Sequence, residues 1–282
     1  MKQSLLSAPK VLFSASSKNQ YVIPACIKKA LRKGVSGIDS ACFSTREKFV
    51  AHATRHVISE DPGRRRETIY IQSKFIPPNA QASLRTIPYD IALRLDQQLN
   101  RAFFDTYNKY NLGPLDSYLF FVPYRFPHHT LLLVWNTLIK IQKAGRVRNI
   151  GLATDRSFDS ETALDTLERE SGKRVQILQQ KYPSNELAIY CRRNGIQLQR
   201  TLVEQFLWAE HQHARAVLRE WAEAHNYTNK QAILFLSQIS GAIPVVTSTD
   251  IDDIVQFGQV ATAVLTKKQK KELEGIVSML GL

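Results

Sequence analysis

Along this chain of 282 residues, eight short runs rich in β-branched and aromatic residues alternate with longer amphipathic stretches, and no other feature constrains the fold as much. A run such as TIYIQS at 68–73 alternates apolar and polar residues with period two and reads as a strand. An apolar repeat near 3.6 residues reads as a helix. Strands are expected at 10–14, 36–39, 68–73, 117–122, 147–153, 174–179, 196–200 and 242–246. Helices are expected at 24–32, from a cap at Ser44 or Thr45 to residue 59, and at 87–110, 130–143, 159–171, 186–193, 213–225, 229–240 and 267–280. Gly113-Pro114, Gly145 and Asn194-Gly195 fall where helices should stop. A helix between successive strands makes those strands parallel, and eight such units close as a (β/α)8 TIM barrel. The alternative is an open doubly wound sheet, but no Gly-rich turn follows the first strand and G-x-G-x-x-G is absent. Residues 1–282 read as one barrel domain, with the last helix outside the barrel and residues 76–87 long enough for a lid or rim.

Composition narrows the partners. The net charge is +13, which raises nucleic acid, membrane surface and acidic ligands as options. The basic residues are spread along the chain, however, and no nucleic-acid-binding motif appears. The densest run, Arg64, Arg65 and Arg66, reads as a solvated loop, with a phosphate- or carboxylate-binding edge as the lesser reading. No apolar run spans a membrane, the N-terminus lacks the pattern of a signal peptide, and the three cysteines show no CxxC spacing. These features point to a cytoplasmic protein with neither nucleic acid nor membrane involved and the oligomeric state open.

Motifs carry the reading further. LDSYLFFVP (Leu115 to Pro123) is followed by a helical stretch and then GRVRNIGLATD (Gly145 to Asp155). This series resembles the aldo-keto reductase family, with its aspartate-led D-x-Y-L-x-H strand and later G-K-V-R-x-I-G-x-S-N stretch. Ile38-Asp39-Ser40-Ala41-Cys42, Ser73-Lys74-Phe75, Ile87-Pro88-Tyr89-Asp90, Gln179, Tyr190-Cys191 and Ile243-Pro244 extend the likeness, which is strongest to a fungal branch. The resemblance implies a catalytic Asp–Tyr–Lys–His set and NADPH as hydride donor. The partner expected on the resemblance is a hydrophobic small molecule. Asp39 and Lys74 stand at two of those positions.

The other positions depart from the pattern. Phe121 replaces the histidine and can neither donate a proton nor polarise a carbonyl. The tyrosine position falls on Ser44 or, by the longer fungal spacing, on Glu47; neither is a phenol. The pair expected to hold the nicotinamide amide is Thr154-Asp155, and the segment after the eighth strand carries Asp250, Asp252 and Asp253 where the resemblance implies phosphate-binding cations. Joint loss of acid, histidine and dinucleotide contacts points away from redox chemistry.

The C-terminal ends of the strands in such a barrel line the site. That rule selects Ser14, Asp39, Lys74, Phe121, Thr154, Asp155, Gln179, Lys181, Arg200 and Thr247. The catalytic candidates are Lys74 and Asp39, with Glu47, reached by the spacing that the resemblance implies, or Asp155 as acid or base. Ser14, Phe75, Phe121, Tyr124, Thr154, Gln179, Lys181, Arg200 and Trp208 would form the pocket. No cofactor is expected; if NADPH binds, Thr154, Asp155, Gln179 and Thr247 would hold it. No metal is expected either: His52 and His56 share a helix face but lack a third ligand. Three functions remain open. One is a cofactor-independent cyclase, isomerase, dehydratase or pericyclic enzyme of fungal natural-product biosynthesis. The second is an NADPH-dependent carbonyl oxidoreductase with an atypical proton donor, and the third a non-catalytic binding or regulatory barrel.

Overall fold

The computed structural model describes residues 8–14, 19–42, 46–81, 87, 89–123, 126–154, 160–181, 183–201 and 212–280. Its strands are β1 (Leu12–Ser14), β2 (Gly37–Asp39), β3 (Tyr70–Phe75), β4 (Leu115–Val122), β5 (Val147–Thr154), β6 (Ile177–Gln180), β7 (Gln197–Thr201) and β8 (Ala242–Val246). They pair in sequence order, all parallel, and β1 meets β8 to close the barrel. Helices α1 (Ile23–Arg32), α2 (Arg46–Glu60), α3 (Leu95–Tyr110), α4 (His128–Lys143), α5 (Ser160–Ser171) and α6 (Asn185–Arg193) each join one strand to the next. Both α7 (Gln212–Ala224) and α8 (Asn229–Ile239) lie between β7 and β8, and α9 (Ile251–Thr262) and α10 (Lys267–Met279) follow.

Three local differences from the sequence reading have physical causes. The third helix starts at Leu95 rather than at 87, because Asp90 closes a turn: its Oδ1 accepts from Ala92 N at 3.0 Å and its carbonyl from Leu93 N at 3.4 Å. β6 starts at Ile177, since Arg174 is turned out to the Glu168 carboxylate and the Asn194 carbonyl. Helix α9 was not anticipated at all. Asp250 caps it by accepting from Asp252 N and Asp253 N, and Ile254, Phe257 and Val260 bury one face.

The arginine run is not a solvated loop. Arg64 donates to the Leu31 carbonyl at 2.6 Å. Arg66 donates to the Leu112, Ile69 and Pro114 carbonyls and pairs with Asp116 at 2.8 Å. Asp116 also accepts from Ile71 N at 2.8 Å and pairs with Arg148. Charged side chains thus tie together the N-terminal ends of β3, β4 and β5. Within the barrel Gly151 is required, because a Cβ there would run into the Ile177 carbonyl on β6 and the Leu119 side chain.

The barrel interior is layered. Leu12, Tyr70 and Val245 fill one level. Leu119, Ala153 and Ile177, with Phe121 against them, form an apolar cluster on the β4–β6 side. A polar belt of Gln72, Ser117, Gln179 and Gln199 also crosses the interior. The outward faces of the strands pack on the helices in the main core, where Trp135 and Trp221 are both buried. No described helix is long and apolar enough to cross a membrane.

Candidate functional site

The C-terminal ends of the strands border a cavity of about 320 Å³, within the usual range for small-molecule sites. Lys74 reaches it from β3. Its Nζ lies 2.6 Å from Asp39 Oδ2, and Asp39 is almost wholly buried beneath it. Asp39 Oδ1 accepts from Gln72 Nε2 at 2.8 Å and Gln179 Nε2 at 3.4 Å. Gln72 and Gln199 exchange amide hydrogen bonds of 2.8 Å in both directions. The ammonium is therefore held in place by a carboxylate that is itself fixed by the glutamine belt.

Of the anticipated pocket residues, Ser14, Lys74, Phe121, Thr154, Gln179 and Lys181 line the cavity. Phe75 does not. Strand alternation sends it outward when Lys74 faces in, and in the helix-facing core it stacks on Phe120 and packs at a tilt against Tyr89. The same parity removes Arg200: Gln199 faces the interior, and Arg200 is fully buried and absent from the lining. Burial pulls the Arg200 guanidinium down to about 10. Thr247 is exposed beyond β8 and lies off the cavity. Asp155, Tyr124 and Trp208 fall outside the described residues.

Glu47 borders the cavity but its carboxylate is engaged elsewhere. Oε1 accepts from Ser73 Oγ at 2.5 Å and Ser40 Oγ at 3.3 Å, Oε2 accepts from Thr106 Oγ1 at 2.8 Å, and Lys109 Nζ stands 3.6 Å away. Burial pushes this carboxyl above its ordinary 4.5, against the opposing pull of Lys109, Ser73 and Thr106.

Ser40, Ala41, Arg46, Val50, Ile76, Ala153 and Thr201 also line the cavity and were not selected from the sequence. Ser40 and Ala41 directly follow Asp39, so the strand-end rule could have found them. Arg46 and Val50 required the first turn of α2 to be placed at the mouth.

The buried tyrosines lie elsewhere. Tyr70 sits in the apolar level of the barrel, Tyr118 packs on Phe103, and Tyr89 donates to the Ile76 carbonyl at 2.5 Å. Tyr110 shares a hydrogen bond with Ser40 Oγ at 3.0 Å. Burial raises all four phenols above their ordinary value, the opposite of what a proton-donating tyrosine needs. The thiols are likewise unreactive: burial pushes Cys42 and Cys191 up to about 12. His56 pairs with Glu60 and His128 with Glu170; among the described residues no group of three side chains could hold a metal.

No protein-family model and no curated protein matches the chain. Solved structures do. An aldo/keto reductase from Brucella melitensis superposes with a TM-score of 0.73 at 19% identity, covering 96% of this chain and 95% of the other. The aldose reductase from Schistosoma japonicum gives 0.73 at 20% identity, covering 95% and 88%. The aldo-keto reductase from Bombyx mori, in complex with NADP, gives 0.74 at 20% identity, covering 96% and 89%. The fold is that of the aldo-keto reductases.

The aldo-keto reductase fold implies a nicotinamide dinucleotide, and the described residues after β8 do not fit its phosphates. The amides at the N-terminus of α9 that could meet an anion are taken by the Asp250 side chain, at 2.7 Å from Asp252 N and 3.2 Å from Asp253 N. Asp253 accepts from Ser248 Oγ at 2.9 Å and pairs with Lys230. Asp250 and Asp252 in this turn oppose phosphate by charge as well. The groups that line the cavity of this barrel are two ammoniums, a guanidinium, a carboxylate, hydroxyls and an amide around an apolar wall.

Proposed function

We propose that this chain is an enzyme on the aldo-keto reductase fold that catalyses a cofactor-independent step on a hydrophobic small molecule. Cyclisation, isomerisation, dehydration and pericyclic rearrangement are the reaction classes that need only such a site. The observation that carries this reading is the surroundings of Lys74 Nζ. The described groups there are the Asp39 carboxylate and the cavity, with Phe121 in the lining and no phenol hydrogen-bonded to the ammonium. A fixed ammonium in an apolar enclosure stabilises negative charge that develops on a bound carbonyl or enol oxygen. The cavity wall holds the substrate in a reactive conformation. Asp39, Gln72 and Gln179 position the ammonium, and Asp155 is the candidate acid or base, since Ser73, Thr106 and Lys109 engage the Glu47 carboxylate. A role in fungal natural-product biosynthesis follows from the sequence resemblance, and a cytoplasmic setting suits the three unpaired cysteines.

A second reading, an NADPH-dependent carbonyl oxidoreductase with an atypical proton donor, is favoured by two observations. The Lys74–Asp39 pair is retained, and the Bombyx mori neighbour is in complex with NADP. Titration with NADPH, followed by tryptophan fluorescence and calorimetry, separates the two. Absence of binding at millimolar NADPH supports the cofactor-independent reading; tight binding overturns it in favour of the reductase.

A further inference from the structure

We infer that the surface where α9 passes into α10 docks on an anionic lipid bilayer, held by its lysines and by insertion of Val264. The inference concerns the outside of the barrel and does not depend on the reading of the cavity. α10 opens with Lys267, Lys268, Lys270 and Lys271, all exposed, and has no acid in its first turn. Cations there face the positive end of the helix dipole and oppose helix formation. They do no capping either. Thr266 Oγ1 accepts from Gln269 N at 3.2 Å, and Gln269 Oε1 accepts from Thr266 N at 2.9 Å, which closes the helix end. Lys267, Lys270 and Lys271 make no ion pair among the described residues. Lys268 stands 3.9 Å from Glu272, a carboxylate already bonded to Trp221 and His225. Leu273, Ile276 and Val277 bury the other face of α10.

The fold adds two further cations and an apolar tip. Lys10, before β1, donates from Nζ to the Ala263 carbonyl at 2.6 Å. Gly34, next to the exposed Lys33, lies against Thr262 at the end of α9. Beside them Val264 is 85% exposed, more than any other large apolar side chain described. Three segments far apart in sequence thus form one basic surface with an apolar residue in it, which revises the expectation that no membrane is involved. An apolar side chain among lysines matches the boundary between anionic headgroups and acyl chains. A valine offers no ring on which a base could stack, so phospholipid fits this surface better than nucleic acid. Lys10 and Lys33 precede β1 and β2, so docking here leaves the cavity mouth, at the other end of the strands, open.

The test is co-sedimentation of the intact protein with vesicles of mixed phosphatidylserine and phosphatidylcholine, and with phosphatidylcholine alone. Binding is expected only to the anionic vesicles and should fall as salt is raised. Each lysine at the surface adds about fivefold to the partition, so Lys267→Gln with Lys270→Gln should lower it about 25-fold. Lys48→Gln with Arg101→Gln makes the same change in net charge on exposed positions of α2 and α3 and should leave binding unaltered. Val264→Ser should weaken binding several-fold. In thermal melts the α10 lysine variant should be no less stable than the parent, because those lysines oppose the helix dipole. No binding to anionic vesicles overturns the inference. Equal losses in the two charge variants also overturn it, since binding would then follow net charge and not this surface. A destabilised lysine variant would give these lysines a structural purpose and overturn the argument from the dipole. Unchanged binding by Val264→Ser, or binding to a DNA duplex but not to vesicles, overturns the assignment to a bilayer.

Discussion

Lys74 Nζ stands 2.6 Å from Asp39 Oδ2, the lysine at the edge of the cavity and the aspartate 1% exposed below it. The two ends of this pair are not equivalent. Lys74 can be hydrated through the cavity when its partner is lost, whereas Asp39 cannot. Lys74→Met should therefore cost more stability than Asp39→Asn, roughly 3–5 kcal/mol, the usual cost of stranding a buried charge. The double variant should lose less than the sum. Urea denaturation of all four proteins completes the cycle, and strict additivity would show that the pair is not coupled. Both single variants should also abolish turnover once a substrate is found; intact turnover would remove both residues from the reaction.

Glu47 gives the fold a pH dependence of defined sign. Its carboxyl is raised above 4.5 in the folded protein, so the folded state holds this proton more tightly than the unfolded chain. Below 4.5 the group is protonated in both states and costs nothing. Above that value stability falls with rising pH until the folded-state carboxyl has ionised. Glu47→Gln should remove that part of the decline, so the variant gains stability relative to the parent as pH rises from 4.5. Parallel thermal melts across the range check this; curves that keep a constant separation would contradict it.

The amide belt should behave as a unit. Gln199→Met removes the acceptor of Gln72 Nε2 and Gln179 Nε2, at 2.8 Å and 3.0 Å. Each buried donor left unpaired is expected to cost roughly 1–3 kcal/mol. The loss is measured by chemical denaturation, and wild-type stability in this variant would mean that the belt contributes nothing.

Asp250 is expected to act as a helix cap and not as a ligand group. Asp250→Ala should lower stability by about 1 kcal/mol, whereas Asp250→Asn should retain most of it. Equal losses in the two variants would rule out the cap as the source of the effect.

Much of the scaffold was legible in the residues. Period-two runs and intervening amphipathic stretches gave eight strands in the right order, and β8 matched residue for residue. Asp39, Lys74, Phe121, Thr154, Gln179 and Lys181 were found by the rule that strand ends line a barrel mouth. Phe75 and Arg200 were misplaced although strand parity was available: neighbours of inward-facing Lys74 and Gln199 must face the helices. Helix α9 has a sequence signature in the Asp250 N-cap followed by Ile254, Phe257 and Val260, but the same turn also reads as an acidic loop through Asp250, Asp252 and Asp253.

The sequence by itself determined the alternation of elements, because periodicity and residue type are local properties. Only the tertiary structure decided which side chains meet. Barrel closure brings Arg46, Lys74, Thr154 and Lys181 from distant parts of the chain to one cavity. It also turns the Glu47 carboxylate toward Ser73, Thr106 and Lys109. These are contacts between residues far apart in sequence, fixed by strand register and helix packing, and no single segment encodes them.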